Sequence, residues 1–353
     1  MKKHLLYLLG GIFFLASCSK KEDPIPTPTP PTTTPPVVVT PYVPDNSFKV
    51  VAYMPGYRDP SGIPDVKYKM ITHLFFAFLN INPTADGSVV ALTATESSRF
   101  NYLKAKAKAN NVKFGISVMG AESIFATVAN NATARTNFVN NLVNFVKNQG
   151  IDGLDMDWEY PRTTSTTDVN PNNNYTLLMK ELSAELHKNN KFLSAAITPG
   201  VYVSSNRHAI AAEVYQYVDF FNIMQYDGAG YDTAEPLNHA SYKMTEASLN
   251  FWLNTKAMPK EKSILGVPIY GKSSTGSSIT YAALIMAAAT NANVNVATVN
   301  GVAYGYNGIP TIKQKAQLAK ERCNGIMFWE FGQDTNDETS LIKAANDQLG
   351  RAY

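Results

Sequence analysis

The chain has little cysteine, little histidine and no apolar run long enough to cross a bilayer. Cys18 and Cys323 are its two cysteines. Cys18 sits in the N-terminal leader described below, so the body has no partner for a disulfide. Cys323 reads as a small buried apolar residue. The five histidines and two cysteines form no cluster with metal-ligand spacing, so no metal site is expected, and no cofactor is called for. No glycine-rich phosphate loop follows an early strand candidate, which argues against a nucleotide-binding doubly wound sheet. Charge of one sign is also scarce. Lys and Arg total 31 against 28 Asp and Glu, for a formal charge of +3; removing Lys2 and Lys3 with a leader leaves +1. Without a basic run, nothing supports a nucleic-acid partner. A neutral polymer suits such a surface.

The N-terminus reads as an export signal. Lys2 and Lys3 form a positive start, and the apolar stretch from Leu5 to Leu15 is too short for a membrane span. It ends in Leu15-Ala16-Ser17-Cys18, which resembles the lipobox of bacterial lipoproteins, where the cysteine is acylated. Residues 1–18 are therefore expected to be a lipoprotein signal peptide with Cys18 as the lipidation site. The resemblance implies a cell-envelope protein, lipid-anchored to an outer membrane and periplasmic or surface-exposed, touching the membrane only through its anchor. Residues 19–46 open with charged side chains and continue as a Pro/Thr-rich linker that lacks the apolar residues for a core and favours extended geometry.

The body, residues 47–353, is long enough for one large barrel. Short apolar runs recur at 48–53, 70–78, 112–118, 151–157, 191–197, 218–224, 263–269 and 325–329. Several are continuous rather than alternating, as parallel strands covered on both sides require. Helical patterns separate them, such as 133–147 with Phe138, Leu142 and Phe145, and 175–188 with Leu178, Leu182 and Leu186. Eight strands alternating with helices predict an α/β fold, a (β/α)8 TIM barrel, whose functional residues gather at the C-terminal strand ends. About 55 residues separate the seventh strand from the eighth. The segment 281–306 is expected to be a short hairpin at most, so no large α+β insertion domain is expected and the groove should be shallow and open. The body is read as a monomer.

The fourth strand ends in the densest chemistry of the chain: Asp152-Gly153-Leu154-Asp155-Met156-Asp157-Trp158-Glu159-Tyr160-Pro161. In an extended strand, Asp155, Asp157 and Glu159 share one face, with neighbours roughly 6–7 Å apart. Like charges stacked on an apolar strand push one another's pKa values apart and keep one group protonated near neutrality. Asp152 has the opposite parity and fits a structural carboxylate as well as a catalytic one. Trp158 is out of phase with the acidic face and Trp252 lies in a helical pattern; both read as packing.

This decapeptide resembles the Asp-Gly-x-Asp-x-Asp-x-Glu signature of glycoside hydrolase family 18, in its chitinase form. The likeness extends to Met224-Gln225-Tyr226-Asp227 after the sixth strand, to Leu265 through Gly271 in the seventh, to Val51-Ala52-Tyr53 in the first and to Trp329 in the eighth. The resemblance implies substrate-assisted, retaining hydrolysis of an N-acetylated sugar. Glu159 would protonate the glycosidic oxygen, and the substrate's 2-acetamido oxygen would attack the anomeric carbon to give an oxazolinium intermediate. Asp157 would hold the acetamido N–H, Asp155 would share a proton with Asp157, and Tyr226 would align the acetamido oxygen. Substrate contacts would come from Tyr53, Ser117, Met224, Asp227 and Trp329, with Ser117 also hydrogen-bonding Asp155. The implied activity is an endo-acting chitinase on chitin or chitooligosaccharides. With three tryptophans and no recognisable binding module, short or soluble oligomers fit better than crystalline chitin. An endo-β-N-acetylglucosaminidase acting on N-glycan cores, or a non-catalytic chitin-binding lectin, shares the framework. One position departs from the pattern: where the family has Ser-x-Gly-Gly, this chain reads Ser117-Val118-Met119-Gly120, so the loop there loses a conformationally permissive residue.

Overall fold

The computed structural model describes residues 41–166 and 171–353; Cys18 and most of the linker lie outside the described residues. The strands are β1 (Lys49–Pro55), β2 (His73–Asn80), β3 (Lys113–Met119), β4 (Gly153–Met156), β5 (Phe192–Ile197), β6 (Phe220–Ile223), β7 (Ser263–Pro268), β8 (Tyr270–Ser273), β9 (Ser278–Thr280), β10 (Val296–Val299), β11 (Val302–Gly305) and β12 (Gly325–Trp329). The helices are α1 (Asp65–Lys69), α2 (Ala94–Ala109), α3 (Glu122–Asn130), α4 (Ala132–Gln149), α5 (Asn173–Lys188), α6 (Tyr242–Leu249), α7 (Tyr281–Ala287), α8 (Ile309–Arg322) and α9 (Leu341–Leu349). Strands β1 to β7 and β12 close into a parallel barrel, with β1 hydrogen-bonded to both β2 and β12. This is the expected (β/α)8 barrel, each of its strands within a few residues of its predicted place.

Strand parity sorts the side chains. Along β1, Val50, Ala52 and Met54 face the helix layer, whereas Val51 and Tyr53 join Phe75, Phe220, Ile264 and Met327 inside the barrel. The interior is filled by aromatic rings, and glycine makes room for them. A Cβ on Gly153 would lie 2.4 Å from the Phe192 ring, which explains the glycine in the acidic run sterically. Helix ends carry the expected stops. Asn131 and Asn172 cap α4 and α5 through side-chain oxygens, and Gly150 closes α4 in the left-handed conformation.

One expectation needs correcting. Between β7 and β12 the chain forms more than a hairpin. The pair β10–β11 is a hairpin, but β11 also pairs with β8, and β8 with β9, giving a four-stranded antiparallel sheet with α7 packed on it. The extra strands are only three and four residues long, too short for an apolar pattern to mark them.

Candidate active site

Strand β4 ends at Met156, so of the three in-phase carboxylates only Asp155 lies in the strand proper; Asp157 and Glu159 continue beyond its C-terminal end. Leu154, Met156 and Trp158 pack outward into the helix layer, with the Trp158 ring stacked on Phe125 at 5.3 Å. Asp155 is fully buried and heavily solvated by the protein. Its Oδ2 accepts from the Tyr53 hydroxyl at 2.8 Å and from Ser117 Oγ at 2.9 Å. Its Oδ1 accepts from Ser194 Oγ at 2.6 Å and Asn222 Nδ2 at 3.2 Å. Burial still raises its pKa, against the pull of these donors.

Asp157 is the opposite case. It is 4% exposed, and its Oδ1 has no hydrogen-bond partner among the described residues. Burial first, then the charges of Glu159 and Asp155, push its pKa well above the ordinary carboxylate range. Glu159 is half-buried and is also raised, by burial and by the charge of Asp227, while a hydrogen bond with Tyr160 works the other way. A run of carboxylates that would all ionise in water is thus biased to retain protons. The stretch ends with Glu159 facing open space.

That space is a cavity of about 150 Å³ bounded by Asp157, Glu159, Met224, Tyr226, Asp227 and Trp329, with Phe78, Met119, Tyr160 and Tyr270 completing it. Six barrel strands, β2, β3, β4, β6, β7 and β12, contribute to it at or just beyond their C-terminal ends. Trp329 stacks on Phe78 at 5.7 Å and leans on Tyr53 at 5.6 Å, which fixes its ring plane. Non-proline cis peptides occur at Ala77-Phe78, Glu159-Tyr160 and Trp329-Glu330, all beside the cavity. Burial, with the neighbouring Tyr270, Asp157 and Glu159, holds the Tyr226 hydroxyl well above its ordinary pKa. It remains a donor.

Asp227 differs from the other acids. Burial disfavours its charge, yet His239, Lys272 and Tyr270 overcome this and hold its carboxyl below the usual range. Tyr270 donates to Oδ1 at 2.6 Å and Lys272 Nζ lies 2.8 Å from the same oxygen. Asp227 is therefore a fixed negative charge at the rim, in a left-handed backbone conformation (φ 62°).

Of the residues singled out in the sequence, Asp157, Glu159, Met224, Tyr226, Asp227 and Trp329 line one cavity. Tyr53 and Ser117 do not line it. Both are buried and donate to Asp155 from below, so their contact is with the carboxylate network. Asp152 lies at the other end of the barrel. Its Oδ2 accepts from the Phe114 amide at 2.9 Å, a cross-strand structural role. Trp252 is core, its indole donating to the Thr198 carbonyl at 2.9 Å. Sequence reasoning missed Ser194, Asn222, Tyr270, Lys272 and His239. For Asn222 a signal existed: it lies two residues before Met224 and shares its strand face.

Comparison with known proteins agrees with this geometry. Among solved structures, the chitinase ChiB from the chitin utilization locus of Flavobacterium johnsoniae superposes with a TM-score of 0.70 and 27% identity, over 86% of this chain and 94% of that one. In sequence, the chain is 27% identical to probable chitinase 10 of Drosophila melanogaster over 74% of its own length and 12% of that longer protein. It is 25% identical to chitinase-3-like protein 2 of Homo sapiens over 65% of this chain and 64% of that one. It thus spans less than two thirds of either protein. The family described as "Glycosyl hydrolases family 18" matches residues 49–334, which takes in every strand of the barrel and all the carboxylates at their ends. With fold, site and family profile in agreement, the chain belongs to glycosyl hydrolases family 18.

Proposed function

We propose that the chain is an endo-acting chitinase that hydrolyses β-1,4-linked N-acetylglucosamine oligomers with retention, using the substrate's own acetamido group. One observation carries the reading: a half-buried Glu159, its pKa raised by burial, shares a cavity with the unpartnered Oδ1 of Asp157, the Tyr226 hydroxyl and the Trp329 ring.

The mechanism follows from those groups. The sugar on the non-leaving side rests on Trp329, whose apolar face suits a pyranose ring. Glu159 gives its proton to the glycosidic oxygen as that bond breaks. The acetamido oxygen, aligned by a hydrogen bond from Tyr226, closes on the anomeric carbon and forms the oxazolinium ring. Positive charge appears on the acetamido nitrogen. Asp157 Oδ1 accepts that N–H, and the charge developing there favours the ionised form of Asp157. The proton it gives up is shared with Asp155, whose four donors allow it to hold or release charge in place. Glu159, now a carboxylate, removes a proton from water as it opens the ring from the same face, which restores the acid and retains configuration.

The N-terminal segment belongs to the same reading. Cys18 is the acylation site, residues 19–46 are the tether, and the barrel works at the cell envelope.

The test is product analysis after incubating the full chain with chitohexaose, with Glu159→Gln in parallel. Dimers, trimers and tetramers from the parent alone are expected. The variant should lose about two to four orders of magnitude in rate, in line with removal of a general acid, while still binding the hexamer. An intact hexamer with the parent overturns the proposal. Release of the glycan from a high-mannose glycoprotein would then identify an endo-β-N-acetylglucosaminidase, and binding without any cleavage a lectin.

A further inference from the structure

The lower face of the barrel, where the strands begin, has a concavity that the chemistry above does not use. Its volume is about 760 Å³, and its wall includes Lys104, Lys108, Lys113, Asn111, Gln149 and Asp152. It opens between the last turns of α2 and α4 and the start of β3. Lys104 Nζ donates to the Gln149 carbonyl at 3.1 Å, and Lys113 lies 3.5 Å from Asp152, both side chains well exposed. Asp152 is the one carboxylate on this wall among the described residues, so the groove is cationic. Lys69, Lys147, Lys188 and Lys191 lie in or just after the last turns of helices on the same face and are exposed or half-exposed, against Asp45 and Asp219 in the adjoining hollow and Glu185 beside Lys188 at 3.7 Å. Complementing a helix C-terminus accounts for Lys108, whereas Lys113, the first residue of a strand, has only the 3.5 Å exposed contact with Asp152.

A second observation concerns where the chain enters. Residues 41–47 lie against this same face. Tyr42 stacks on His187 at 4.0 Å. Lys49 Nζ donates to the carbonyls of Asp45 at 2.6 Å and Ser47 at 3.0 Å. The hollow under Tyr42 and Asp45 shares Lys113 and Asp152 with the basic groove. The polypeptide leading from the leader therefore joins the barrel beside its cationic side, with the carboxylate site at the opposite end.

We propose that this lower face docks on the anionic phospholipid headgroups of the bilayer to which the leader runs, with the Lys104–Lys108–Lys113 groove seating a headgroup phosphate. The proposal rests on residues 1–46 being an anchor and tether. It adds a second, electrostatic attachment to that anchor, one that turns the catalytic mouth away from the membrane.

The experiment is sedimentation of the full chain with vesicles of zwitterionic lipid alone or with about one third anionic phospholipid, read as the ratio of the two partition constants. The anchor contributes to both vesicles; the groove contributes to the ratio. The triple variant Lys104→Gln, Lys108→Gln, Lys113→Gln should lower the ratio by about fivefold per lysine, roughly a hundredfold in all. Raising salt should remove the same excess from the parent. An unchanged melting temperature shows that the variant is folded. A parent ratio near one, or a variant ratio equal to the parent's, overturns the proposal, as does retention on acidic polysaccharide with no preference for anionic vesicles. Failure of the anchor reading appears separately, as no binding to zwitterionic vesicles. Failure of the enzymatic reading leaves the ratio untouched.

Discussion

Asp155 accepts four hydrogen bonds, while Asp157 Oδ1 accepts none among the described residues, and that difference separates their predicted behaviour. Removing the 2.6 Å donor with Ser194→Ala leaves a buried carboxylate short of one charge-assisted bond, a loss of about 1.5–3 kcal/mol. Thermal melting should fall by several degrees; an unchanged melt would show that Ser194 contributes nothing. Asp157 works the other way. Its folded pKa is raised above an unfolded value of about 3.9. The stability it contributes is therefore complete in acid below that value and lost as pH rises through the raised one. Asp157→Asn never ionises, so at pH 7 it should melt at or above the parent temperature, with the gap closing by about pH 4. A variant less stable at pH 7 would contradict this. Asp227 raises the pKa of Glu159, so Asp227→Asn should lower it and move the basic limb of hydrolysis to lower pH. A limb that stays put would remove Asp227 from the electrostatics of the acid. At this scale the acids were legible because a period of two groups them on one strand. Ser194, Lys272 and His239 were not, because they reach the site from other elements and carry no local signature.

Among the elements, the eight barrel strands could be read because burial on both faces leaves continuous apolar runs. Their ends were less distinct. The apolar pattern ran through Asp157, but pairing with β3 and β5 stops at Met156. Of the sheet between β7 and β12 only the β10–β11 hairpin was legible, because β8 and β9 are four and three residues long, so that tertiary pairing rather than local pattern defines them. The sheet packs tightly on the loop between β6 and α6, where a Cβ on Gly305 would fall 2.0 Å from the Leu237 carbonyl oxygen. Backbone there has nowhere to go. Gly305→Ala is expected to destabilise by at least about 1–3 kcal/mol, whereas Gly62→Ala, with nothing within 4 Å of its Cβ, should be close to neutral. Equal melting temperatures for the two variants would mean that the sheet can lift away freely.

For the molecule as a whole, the order of strands in the chain and in space differs at one place. Neighbours in the barrel are neighbours in sequence except at the seam, where Lys49 pairs with Gly325 and Ala52 with Phe328, and where Asn324 reaches back to the carbonyls of Asn46 and Ser47. No sequence pattern announces that seam; it follows from counting eight strands and requiring closure. It also sets a timetable. While the polypeptide is being made, β1 and β7 are two unsealed edges of an open sheet, each with a row of unspent amide and carbonyl groups. A chain stopped at residue 320 should accumulate as insoluble material, since the strand that covers both edges is missing. The first strand to leave the ribosome waits for nearly the last.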